Sequence, residues 1–174
     1  MLINLEQIRK DEGLSIHHVY ADGELSLQSD ATRIVGRPSM RLVASRSGDE
    51  LRLVGDVQTA VEFECDRCLA PLALPVDQSF DLLYVPPLHL AAADEKELGD
   101  DDLTIGFYHN NVINVDDLVR EQIELALPMA RVCAETCRGL CPDCGVNLNK
   151  TVCTCAVEEI DPRWAALKPL ESHN

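Results

Sequence analysis

From Leu51 to Tyr84 apolar and polar residues alternate with a period of two, broken once by the tetrapeptide Cys65-Asp66-Arg67-Cys68. Leu51, Leu53, Val57, Val61 and Phe63 hold odd positions, while Arg52, Asp56, Gln58, Glu62 and Glu64 hold even ones. Successive side chains of an extended chain point to opposite faces, so this pattern makes a long strand with one buried face. Beyond Cys68 the pattern resumes. Leu72, Leu74, Val76, Phe80, Leu82 and Tyr84 alternate with Ala73, Asp77, Ser79 and Asp81. The two stretches read as one hairpin with a cysteine pair at its tip, and Cys65 continues the inward set. Gly55 predicts a bulge or bend in the first arm.

The remaining elements are shorter. Residues 40–46 read as a strand that turns at Ser47-Gly48-Asp49-Glu50 into the long hairpin. Ile16–Tyr20 and Glu24–Leu27 predict two short strands around Ala21-Asp22-Gly23. Residues 86–102 open with two prolines and close with Asp94-Glu95-Lys96-Glu97 and Asp100-Asp101-Asp102, the signature of an exposed loop. Leu103–Tyr108 predicts a strand. Asn114 then stands as an N-cap, with Asp116 and Asp117 favoured by the positive end of a helix. Val115, Leu118, Val119, Ile123, Ala126 and Leu127 recur at helical spacing up to Pro128. Asp161-Pro162 opens a last short helix, Arg163 to Leu170, with Trp164 and Leu167 on its buried side. The expected fold is α+β, an antiparallel barrel-like sheet packed with one main helix, plus a zinc-knuckle C-terminal segment. The expected division is an acidic body at 1–130 and a cysteine-rich segment at 131–174.

Eight cysteines sit in this chain: Cys65, Cys68, Cys133, Cys137, Cys141, Cys144, Cys153 and Cys155. The N-terminus carries charges early and has no apolar leader stretch, and no apolar run approaches the roughly 20 residues of a membrane helix. A bacterial-type cytoplasmic location follows as the expectation. Thiols stay reduced there, so the cysteines point to metal rather than to disulfides. In Cys141-Pro142-Asp143-Cys144-Gly145 the proline pre-sets a turn, and Gly145 can take the positive φ that aims backbone N–H groups at sulfur. Cys153-Thr154-Cys155 can close the same site. That leaves Cys65, Cys68, Cys133 and Cys137 as a second set, stapling the helix exit to the hairpin tip. Four cysteines per ion leave no open coordination position, so one or two structural Zn2+ ions are expected. Arg67 and Arg138 stand beside ligands and could offset the negative charge of such sites. Burial as free thiols is the competing reading for Cys65 and Cys68.

The formal net charge is −15, and it is uneven. Residues 1–130 carry ten Lys and Arg against 24 Asp and Glu. An acidic body repels nucleic acid and attracts basic proteins, although acidity also serves solubility. One basic stretch stands out: Arg33, Arg37, Arg41 and Arg46 occur with no acid among them. The first three share strand parity and could form a stripe that contacts phosphate, or they are ordinary surface arginines paired with acidic neighbours. Catalytic chemistry is absent. The five histidines are scattered, and there is no phosphate-cradling glycine loop, nucleophile elbow or calcium-loop spacing. A thiol-based redox or zinc-sensing regulator is the alternative class, but a redox Cys-x-x-Cys wants a strand-to-helix context that neither pair has.

The runs FECDRCLAPL, VDDLVREQIELALPMARVC, CRGLCPDCGVNLN and IDPRWAALKPL, in this order over roughly residues 50–170, resemble the YceD family, the large ribosomal RNA subunit accumulation proteins. The resemblance implies a non-enzymatic factor in ribosome biogenesis that supports accumulation or assembly of large-subunit ribosomal RNA. Its implied partners are large-subunit pre-rRNA or the pre-ribosome, or a basic ribosomal protein, with no membrane and no small-molecule substrate. Cys65 and Cys68 match the family's central C-x-R-C pair, and Cys133 and Cys137 match the pair after the helix. The Cys141–Cys155 knuckle resembles a version carried by many but not all members, which supports two separate sets of ligands.

Overall fold

The computed structural model describes residues 1–8, 13–29, 31–87, 105–155, 163 and 167. The alternating stretch forms β4 (Glu50–Glu64) and β5 (Pro71–Val85), paired antiparallel without a register shift from Leu51↔Tyr84 to Glu64↔Pro71. β3 (Thr32–Ser47) pairs with β4 through a tight turn at Gly48-Asp49, and β2 (Leu14–Val19) pairs antiparallel with β3. β3 begins well before the expected position 40, because a register shift between Val35 and Ser39 absorbs the break in its apolar pattern. β1 (Leu2–Asn4) and β7 (Val112–Asn114) make a separate two-stranded ribbon. The helix α1 spans Val115–Leu125, and the Asn114 side chain accepts from the Asp116 N–H as an N-cap should.

The sheet is open, not barrel-like. Its order is β2-β3-β4-β5-β6, and β6 (Ile105–Phe107) lies parallel to the end of β5 rather than antiparallel. Closure would need the two edge strands to pair with a fixed stagger. Three residues at one corner cannot span a face built from strands of 15 and 16 residues. The inner face is covered instead by α1 and the β1–β7 ribbon. Met40, Leu42, Leu51, Leu53, Val57 and Val61 are fully or almost fully buried in one cluster with Ile3, Leu5, Val115, Leu118, Val119 and Ile123. The outer face stays exposed, with Val43 and Val54 at its centre and cross-strand ion pairs Arg33–Glu62, Arg41–Asp56 and Arg52–Asp81 around them.

Two local expectations are corrected. Gly55 sits in regular pairing, opposite Leu42 and Phe80, with no bulge. A Cβ there would lie 2.2 Å from the Arg41 carbonyl oxygen and 2.7 Å from the Phe80 ring, so glycine answers a close approach. Glu24–Leu27 is no strand. Its neighbourhood hydrogen-bonds to helix side chains instead: Arg120 Nε donates to the Ser26 carbonyl at 2.7 Å, and the Gln28 N–H donates to Glu124 Oε1 at 3.1 Å. Leu25 is thereby held in the core. The acidic run Asp94–Asp102 and most of the expected helix at 163–170, Trp164 included, lie outside the described residues. Among the described residues no helix is long and apolar enough to cross a membrane.

Candidate metal centres

The β4–β5 hairpin ends in the turn Cys65–Cys68, closed by the Cys65 N–H to the Ala70 carbonyl at 2.8 Å and the Leu69 N–H to the Cys65 carbonyl at 2.9 Å. Leu69 takes a φ of 55°, which sharpens the turn. Cys65 continues the inward face of β4 and is fully buried, and Cys68 is nearly so. The strap that follows α1 returns to this tip. The Asp66 N–H donates to the Arg131 carbonyl and the Arg131 N–H to Asp66 Oδ2, each at 2.8 Å. The Arg131 guanidinium donates to Thr32 Oγ1 at 3.1 Å and lies 5.8 Å from the Phe63 ring centroid. These contacts deliver Cys133 and Cys137 to the hairpin pair.

The eight sulfurs form two groups, Cys65, Cys68, Cys133 and Cys137, then Cys141, Cys144, Cys153 and Cys155, and within each group all lie within 4.8 Å of one another. In the first, Cys65 and Cys137 sulfurs are 3.9 Å apart and those of Cys68 and Cys133 are 3.7 Å apart. In the second, Cys144–Cys153 is 3.5 Å and Cys141–Cys153 is 3.4 Å. A tetrahedral zinc with sulfurs at about 2.3 Å separates them by about 3.8 Å. All these distances exceed a disulfide bond, and all eight cysteines are free. Each group can therefore hold a metal ion.

Backbone donors strengthen that fit. Burial pushes the Cys65 thiol up, but N–H groups of Arg67, Cys68 and Cys133 bring it down to about 6. The Cys141 thiol is lowered to about 7 by N–H groups of Cys144 and Asp143. Both Cys-x-x-Cys turns thus aim the N–H groups two and three positions on at their first sulfur. Cys137 is lowered by the Gly139 N–H, despite burial, with Asn149 adding a side-chain donor. The remaining protons collect on partners: Cys133 is raised to about 12 by Cys137 and Cys68, and Cys155 to about 12 by Cys153 and Cys144. Four thiols this close cannot all ionise alone, because like charges oppose it; a divalent cation removes the obstacle.

The two groups differ in setting. Cys65, Cys68 and Cys137 are buried with Cys133 exposed, whereas Cys144 and Cys155 are exposed and only Cys141 is buried. Gly145 has the expected positive φ of 71°. Arg67 turns its guanidinium to the carbonyls of Glu135 and Cys137, at 3.1 and 3.0 Å, bracing the strap. Asn149 and Arg131 escaped the sequence reading because each acts across the chain; no spacing rule flags a lone Asn in a ligand loop.

The four arginines of the basic stretch do not converge. Arg33 and Arg41 lie on the outer face, paired with Glu62 and Asp56. Arg37 sits in the irregular part of β3 and donates to the Tyr20 carbonyl at 3.4 Å. Arg46 donates to the carbonyls of Gly48 and Leu5 at 2.9 and 3.3 Å.

Comparison with known proteins adds to this geometry. The family model described as large ribosomal RNA subunit accumulation protein YceD matches residues 53–171, which takes in the hairpin, α1 and both cysteine groups. An uncharacterized protein of Mycobacterium tuberculosis is 34% identical over 115 residues, covering 66% of this chain and 53% of that protein. The large ribosomal RNA subunit accumulation protein YCED homolog 1, chloroplastic, of Arabidopsis thaliana is 28% identical over 143 residues, covering 70% of this chain and 44% of that one. Its Zea mays counterpart is 28% identical over 150 residues, covering 73% and 50%. The chain thus spans about half the length of the curated relatives it matches, and no solved structure matches it. The match from inside β4 to residue 171 places the chain in the family of large ribosomal RNA subunit accumulation proteins, YceD.

Proposed function

We propose that this protein is a non-enzymatic, cytoplasmic factor that supports accumulation or assembly of large-subunit ribosomal RNA, with structural zinc in both cysteine groups. The observation that carries the reading is the family match across residues 53–171, which bears the name of an accumulation factor and not of an enzyme. The plant relatives carry the same name. Zinc is favoured among metals because four thiolates in tetrahedral reach suit it and leave no position open for substrate. Zinc would tie the strap to the hairpin tip and fold the segment beyond it, giving a rigid module at one end of the sheet.

Electrostatics favours a basic ribosomal protein on the pre-ribosome over bare RNA as the direct partner. Each zinc tetrathiolate carries a net charge near −2, so two take the formal charge from −15 to about −19. Arg33 and Arg41 are engaged with carboxylates and Arg37 and Arg46 with carbonyls. Seven aromatic residues in the whole chain offer little for base stacking.

The test is depletion of the protein in growing cells, with large- and small-subunit ribosomal RNA quantified side by side. The large-to-small ratio is expected to fall and to recover with the wild-type chain. An unchanged ratio contradicts the reading. Crosslinking the tagged protein in the same cells identifies the contact, and a ribosomal protein is expected ahead of RNA.

A further inference from the structure

The two cysteine groups are joined by a short piece of chain. Cys137 belongs to the first and Cys141 to the second, and Arg138-Gly139-Leu140 is all that separates them. The loop between Cys144 and Cys153 folds back onto this connector. The Cys141 N–H donates to the Val146 carbonyl at 2.8 Å, the Leu148 N–H donates to the Gly139 carbonyl at 3.0 Å, and Leu140 bridges to Asn147. The Leu140 N–H in turn reaches the Arg67 carbonyl in the hairpin tip at 3.0 Å. Gly139 holds a φ of 74°, and a Cβ there would sit 3.0 Å from the same carbonyl oxygen.

Asn149 rides on that loop. Its Nδ2 donates to the Cys137 sulfur at 3.3 Å, and its Oδ1 accepts from the Arg138 N–H at 2.8 Å. Its own N–H donates to Asn147 Oδ1 at 2.9 Å, which fixes the loop's turn. A side chain held between the ligands of one group thus supplies a hydrogen bond to a sulfur of the other. Among the described residues it is the side-chain amide placed on a ligand sulfur.

We infer that Asn149 is a positioning residue that couples the two metal sites, so that a metal held by Cys141, Cys144, Cys153 and Cys155 strengthens retention of the metal held by Cys65, Cys68, Cys133 and Cys137. This rests on the reading that both groups bind metal. The physical route is direct. Metal in the second group fixes both ends of the loop 145–152 and so holds the Asn149 amide against Cys137. An N–H···S bond stabilises the charge of a ligating thiolate. Linkage requires the effect to be reciprocal.

The test uses the full chain and cobalt(II), whose thiolate charge-transfer absorption reports the sulfur environment. Cobalt affinity of the first group is measured by competition with a chromophoric chelator in four proteins: wild type, Asn149→Asp, a Cys153→Ser/Cys155→Ser variant, and their combination. Asp keeps the oxygen that accepts from the Arg138 N–H and replaces the donor to sulfur with a charged carboxylate oxygen. Loss of the second group and Asn149→Asp are each expected to weaken the first site by roughly 10-fold, the low end of the range for supporting contacts of a metal ligand. The combination is expected to be no weaker than either alone, and the charge-transfer band is expected to move to lower energy in all three variants. Multiplying effects, or an unmoved band, overturn the coupling while leaving two metal sites standing. A wild-type chain that takes up no cobalt overturns the metal reading itself, and the coupling with it. Asn149→Ala, followed in the same way, removes both contacts without adding charge and is expected to weaken the first site by a similar factor. A site weakened by Asp and not by Ala would mean that charge repulsion, and not loss of the amide donor, is being read, and would overturn the coupling.

Discussion

At the scale of single residues, side chains far apart in sequence meet in a few decisive contacts. Tyr20 OH donates to Asp116 Oδ1 at 3.0 Å, and the Met1 α-amine pairs with the other carboxylate oxygen. Burial pushes the Asp116 carboxyl up, but these two donors outweigh it and hold it below the usual carboxylate range. Its contribution to stability is therefore complete above about pH 4 and is lost as the pH falls through its lowered folded value. Asp116→Asn is expected to flatten the acid limb of a stability-versus-pH curve measured by urea unfolding, and Tyr20→Phe to cost about 0.5–1.5 kcal/mol at neutral pH. Gly55→Ala is expected to cost at least about 1–3 kcal/mol in the same assay, because the new methyl meets the Arg41 carbonyl and the Phe80 ring. An unchanged midpoint for that variant would mean that β3 and β5 can yield there.

At the scale of elements, the period-two pattern made β4, β5 and the hairpin tip legible, and α1 announced itself by its N-cap and apolar spacing. Exposed edges do not write themselves into periodicity. The pairing of β6 and the separate β1–β7 ribbon rest on three-residue strands, too short to carry a pattern, and so the open sheet was not foreseen. The division of the cysteines was legible from spacing because a Cys-x-x-Cys turn has one natural geometry. Arg67 stood out as a charge beside a ligand, but its bracing of the strap carbonyls was not legible, nor were the supports from Arg131 and Asn149, which have no special spacing. Metal and local folding are coupled where ligands come from turns rather than from a packed core. Cys141→Ser is therefore expected to expose residues 141–155 to limited proteolysis while the far-ultraviolet signature of the sheet persists. Protection equal to wild type would show that backbone hydrogen bonds alone order that segment.

At the scale of the whole molecule, the net negative charge bears on what the protein can meet. A field of this sign acts mainly on association rate and is screened beyond roughly 10 Å at 0.1 M salt. The acidic run at 94–102 lies outside the described residues, but its charge belongs to that field. Replacing Asp100, Asp101 and Asp102 with Asn is expected to slow association with a basic ribosomal protein at low salt and leave dissociation unchanged. Changing Arg33, Arg37 and Arg41 together to Ala is expected to leave the salt dependence of any RNA association as it was, since these groups are already engaged; a loss of about one unit of slope per arginine would show phosphate contacts instead. The proposed metal centres at the hairpin tip are the central claim, and each cysteine group brings four sulfurs within 4.8 Å of one another. The most direct measurement is native mass spectrometry of the full chain purified without added metal. Two zinc ions per chain are expected, falling to one when Cys141 and Cys144 are changed to Ser. A chain that carries one zinc, or none, contradicts the two-centre arrangement.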